Sequence, residues 1–171
     1  MREKRTLKQR RRLSDPIEEH ATFNNTETKI ALSGHPIHAM TVAFPITLAF
    51  SIFGADLFYW WTADPFWPRV ALWAAGFAFL MGIIAGISGT FELLMVPGIR
   101  IRSASWTHFI LAVMLISILG LNWGFRLANA EAAVLPYGIM ISALGAAMTG
   151  ITGWHGGKLV FDYQIGTQRP D

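Results

Sequence analysis

The chain has no cysteine among its 171 residues. That removes disulfides, thiolate metal sites, iron–sulfur clusters, covalently attached c-type haem and thiol nucleophiles together. It also leaves the redox compartment unreadable from cysteine usage. Charge is scarce: Asp, Glu, Lys and Arg supply 15% of the residues against 53% hydrophobic, too apolar for an ordinary soluble domain. No phosphate-cradling loop, no serine nucleophile with an acid partner and no pair of catalytic carboxylates stands out, so an enzymatic role is not the expectation. A cleavable signal peptide needs an apolar run directly after its basic region. Here a polar stretch follows the basic residues instead, and no cleavage is expected. Lys and Arg exceed Asp and Glu by 14 to 11, but they are not interleaved with aromatics on a folded surface, so no nucleic-acid partner is expected.

What the chain does have is four long apolar segments, near 36–60, 70–96, 105–127 and 134–155. Each is long enough to cross a hydrocarbon core about 30 Å thick as a helix. The expected fold is all-α, a polytopic membrane protein built as an antiparallel four-transmembrane-helix bundle. Residues 1–33 read as a basic, polar arm, 34–157 as the transmembrane domain and 158–171 as a short tail. Pro45 inside the first helix lacks an N–H and displaces the carbonyl of Thr41, which predicts a kink. Trp60, Trp61 and Trp67 with Pro65 and Pro68 suit an interfacial loop. Gly82, Gly86 and Gly89 let another backbone come close to the second helix.

With an even number of crossings, Lys and Arg sort by side: 8 in the arm, 2 in the 97–104 loop and 2 in the tail, with Arg69 and Arg126 left for the other face. The positive-inside rule then makes both termini cytoplasmic. The arm reads as a topogenic tail that touches anionic lipid, or as a docking arm for a partner. A faint repeat, Gly86-Ile-Ser-Gly89 and Gly150-Ile-Thr-Gly153, together with His38 and His108 just inside the odd-numbered helices, suggests two repeated hairpins.

Alternating helix directions bring distant residues to one level. Gly34-His35-Pro36-Ile37-His38 opens the first helix, with Pro36 at its first position and His35 beside the cap. His38, Glu92, His108 and His155 then share the cytoplasmic end, one from each helix, with His35 a candidate fifth. Three chemistries suit that set. His38 and His108 could bind b-type haem axially. His38, Glu92, His108 and His155 could hold a divalent metal. Histidine and Glu92 could instead form a quinone or proton site. The alternative to all three is that no cofactor binds and the histidines cap helices or bond lipid phosphate. Asp56, inside the first apolar run, is a candidate intramembrane proton site or structural site.

Gly34-His-Pro-Ile-His38 with Phe44-Pro45, the Gly89–Glu92 helix end, His108, Asn122 and Gly153-Trp-His-Gly-Gly-Lys-Leu-Val160 together resemble the bacterial membrane family catalogued as domain of unknown function family 2231, over about residues 34–166. The resemblance implies a four-helix inner-membrane protein without an established activity, sometimes joined to redox domains. Ala39 stands where the family commonly has proline, and Glu92 where it commonly has aspartate. His155 fills the variable position of the Gly-Trp-x-Gly-Gly ending, so no family role carries over to it.

Two functions follow as expectations. One is a small integral-membrane subunit of the bacterial inner membrane whose cytoplasmic-side histidines bind haem b or a metal in an electron-transfer setting. The other is a non-catalytic assembly subunit, packed against a larger membrane complex and docked by its basic arm.

Overall fold

The computed structural model describes residues 26–165. Most of the basic arm, including His20, and the last six residues lie outside the described residues. Four helical stretches are long and apolar enough to cross a membrane: Ile37–Thr62, Phe66–Met95, Ser103–Leu127 and Val134–Phe161. The protein is a multi-pass membrane protein. Its surface agrees, since large apolar side chains such as Phe50, Trp73, Phe77, Ile110, Leu121 and Met140 are exposed. They face the lipid that a bilayer would supply.

A two-residue hairpin leads in, with β1 (Ala31–Leu32) pairing antiparallel to β2 (His35–Pro36). Ser33 and Gly34 both take positive φ, 51° and 80°, as a tight hairpin turn requires. Pro36 is consequently the residue before the helix, with ψ 119°, rather than its first residue. The first span is broken into α1 (Ile37–Thr41) and α2 (Ala43–Thr62). The break falls at Val42, just after Thr41, whose carbonyl is left without its helical donor by the missing N–H of Pro45.

Helix α3 (Phe66–Met95) starts earlier than the expected residue 70. The Asp64 carboxylate accepts the Phe66 N–H at 2.9 Å, and Pro68 falls in the first turn, where its lost donor is harmless. Trp67 and Pro68 therefore belong to the helix and not to the loop. A short turn, α4 (Pro97–Arg100), leads to α5 (Ser103–Leu127). A π-helical turn (Val134–Gly138) then opens α6 (Ile139–Phe161). This last helix passes through Gly156 and Gly157, which were expected to end it at 155. The first span packs against α3, α3 against α5, α5 against α6 and α6 back against the first span, closing an up-down-up-down ring.

The middle of the ring is apolar: Ala49, Ile52, Ala75, Ala78, Leu115, Leu119 and Met148 form one cluster. A second cluster of Leu93, Val96, Ile99, Leu159 and Ile165 closes the end that carries both described termini. Small side chains on α3 let the helices approach closely, which is how packing rather than water exclusion holds a bundle together in lipid.

The opposite end holds a charged network. Arg126 was expected to sit on the far surface. It is instead wholly buried in the last turn of α5, with a two-pronged bond to Asp56 of α2: Nη1 to Oδ1 at 2.9 Å and Nη2 to Oδ2 at 2.5 Å. Arg126 Nε donates to Asn122 Oδ1 at 2.8 Å. Asn122 Nδ2 donates to Ser142 Oγ at 3.0 Å, and Ser142 Oγ donates to Asp56 Oδ2 at 2.6 Å. Three helices are thus tied by a closed set of bonds. Removing one partner of a buried pair strands the other charge, at about 3–5 kcal/mol, whereas replacing both with apolar residues is often neutral. Asp56→Asn is therefore expected to cost about 3 kcal/mol or more of stability. Asp56→Leu combined with Arg126→Met is expected to recover most of it. Reversible unfolding in mixed micelles measures both.

Candidate functional site

The hairpin and α1 deliver His38 against α3, where its Nδ1 donates to the Ala85 carbonyl at 2.8 Å. A carbonyl can only accept, so that nitrogen carries the proton and Nε2 of the neutral ring keeps its lone pair. Such a bond to backbone is how proteins orient a ligating imidazole. The His38 ring lies on Gly89: a Cβ there would come within 2.8 Å of ring atoms Cε1 and Nδ1. His108, one turn into α5, lies in the same way on Gly156 of α6, where a Cβ would come within 3.0 Å of its Cε1.

The two rings meet edge to face, with centroids 6.3 Å apart and planes at 84°. Both line a cavity of about 500 Å³ between α3 and α5. Glu92 and Ser105 share that wall. Glu92 is buried, and its carboxylate accepts a bond from the Thr28 hydroxyl. His108 Nδ1 and Ser105 Oγ are buried without a hydrogen-bond partner among the described residues.

The expected set is therefore brought together in part. His38, Glu92 and His108 line one cavity, but His155 is half-buried and outside the cavity lining. His35 is exposed in the hairpin, where its ring nitrogen bonds the Ser33 carbonyl at 3.0 Å. It provides no side-chain cap to α1. Among the described residues, no three His, Asp or Glu side chains are grouped so as to hold a metal ion. What the structure presents is a pair of imidazoles, with the Glu92 carboxylate engaged elsewhere.

Two features of the site escaped the sequence reading. The first is the counterpart of Gly89. The repeated Gly150 and Gly153 face open space, and Gly156 is the residue that receives a histidine. The second is the register of the odd-numbered spans. Asp56 follows His38 by 18 residues, and Arg126 follows His108 by the same 18. Eighteen residues is about five helical turns, so each span shows a histidine and a charge on one face, about 27 Å apart. That spacing was present in the sequence and would have brought Arg126 into the core.

The comparisons fit this fold. A family model described as predicted membrane protein, domain of unknown function 2231, matches residues 34–169. The chain belongs to this family. No curated protein and no solved structure matches the chain. The matched segment begins at Gly34, so both facing histidines and the Asp56–Arg126 pair lie within it.

The glycine contacts give a direct test. Gly89→Ala puts a methyl into the His38 ring and is expected to destabilise the protein by about 1–3 kcal/mol, as overpacking does. Gly54→Ala on α2 meets nothing within 4 Å and is expected to be neutral or to stabilise by up to about 1 kcal/mol. Thermal unfolding of the two variants side by side measures the contrast.

Proposed function

We propose that this protein is a small membrane redox subunit that holds a b-type haem between His38 and His108. The observation that carries the reading is the facing of the two imidazoles across one apolar cavity. The ring centres lie 6.3 Å apart, close enough for one bound group to meet both. Three further features support it. The His38 Nδ1 bond to Ala85 leaves Nε2 available. Gly89 and Gly156 remove the side chains that would crowd the rings. The cavity wall is otherwise mostly apolar, which keeps water from an iron centre and tunes its potential.

Bound there, haem would supply one-electron exchange. His38 and His108 would hold and orient it, and the surrounding apolar side chains would exclude water. A pair of imidazoles suits axial ligation better than a structural metal site, which commonly takes four protein ligands.

The cationic residues support an orientation with the histidine end cytoplasmic. With Arg126 neutralised inside the bundle, Arg69 in the first turn of α3 is the remaining basic residue near the opposite end, which strengthens the asymmetry the positive-inside rule reads. In this reading the protein sits in a bacterial inner membrane and passes electrons to or from a larger membrane complex.

Purified protein is expected to show a b-type band in the reduced-minus-oxidised absorbance spectrum, lost in His38→Ala and in His108→Ala while both variants remain folded by circular dichroism. A colourless preparation after haem reconstitution would overturn the assignment. A reporter active only in the periplasm, fused after Asp171, is expected to be silent, and activity there would reverse the orientation.

A further inference from the structure

We infer that the cavity between α3 and α5 also binds the head group of a membrane-soluble isoprenoid quinone, entering sideways from the bilayer. At the histidine end the bundle is closed over. Thr26 Oγ1 donates to the Gln164 carbonyl at 3.1 Å, and Thr28 bonds Glu92. Leu93, Val96, Ile99, Leu159 and Ile165 pack into a floor beneath. On the lipid side the wall is open, since Ile87, Phe91, Leu94 and Val113 line the cavity and are about half exposed. A ligand therefore reaches the site through lipid.

The polar groups inside decide what kind of ligand. Ser105 is 4% exposed, and its hydroxyl, like His108 Nδ1, has no partner among the described residues. Buried polar groups are almost always satisfied, and each left bare costs about 1–3 kcal/mol. Ser105 and His108 are three apart on α5, hence neighbours on one face. A quinone carbonyl oxygen can accept from the Ser105 hydroxyl, and a quinol hydroxyl can donate to the lone pair of His108 Nδ1. A phospholipid head suits the wall poorly. Among the described residues no Lys or Arg lines the cavity, and Glu92 places a carboxylate there, which repels phosphate. The channel between the Ile83–Ile87 and Val113–Ile116 ridges is apolar throughout and takes a hydrocarbon tail. As an electron partner the quinone rests on the haem reading, but as a ligand it does not.

The test is photolabelling of the full chain in nanodiscs with a short-tailed azidoquinone, followed by peptide mapping. The readout is covalent attachment, so it works on protein with or without haem and separates the two readings. Labelling is expected within 83–94 and 103–116, with competition by unlabelled short-tail quinone. Ser105→Ala is expected to weaken that competition by about three- to tenfold, the worth of one hydrogen bond. Ser105→Thr, which keeps the hydroxyl, is expected to restore it and to guard against a folding artefact. Labelling spread over the lipid faces of all four helices would overturn the site. So would competition by a short-chain phosphatidylglycerol as strong as by quinone, which would make the occupant a phospholipid.

Discussion

The interaction on which the architecture turns is the buried pair of Asp56 and Arg126. A carboxylate and a guanidinium wholly removed from solvent are tolerable in a membrane bundle when each satisfies the other and the leftover valences find partners. Asn122 and Ser142 take those valences. The cost of misplacing any of the four is high, so the pair fixes the sliding register of the first span against α5. Apolar packing alone would fix it weakly, because one leucine or alanine layer resembles the next. With that register set at one end, the equal spacing in the two spans puts His38 opposite His108 at the other end, some five turns away. The histidine pair is thus positioned by a structural pair that it never touches.

Much of this was legible in the sequence. Four apolar runs give four spans because a bilayer leaves a chain few alternatives to the helix. Alternation of direction gives the shared level of His38, Glu92 and His108. Helix ends were less legible. Gly156 and Gly157 look like a stop signal, yet α6 runs through them, because in lipid an unpaired carbonyl costs more than the entropy a glycine loses. Gly156 is there for another reason, the His108 ring that lies on it. The burial of Arg126 is not legible from a count of charges by side, because its partner is 70 residues away. The sequence holds the spacing that places it, but one must expect an ion pair before looking for it. Facing of side chains is a further step. Level follows from topology, whereas His155 shares the level and still falls outside the cavity lining.

The two ends of the bundle also differ in what they leave unsatisfied. At the Asp56 end the four polar side chains answer one another, so that end holds its shape without a ligand. At the histidine end the balance is open: His38 is fixed by Ala85, but His108 Nδ1 and Ser105 Oγ are not answered. The described buried core between the ends, from Ile52 to Leu115, is packed with apolar side chains. The closed network cannot spare a donor and the apolar middle carries no ionisable bridge among the described residues, so the unanswered groups His108 Nδ1 and Ser105 Oγ lie at one end of the bundle. The Asp56 network, at the other end, holds still the helices that carry them.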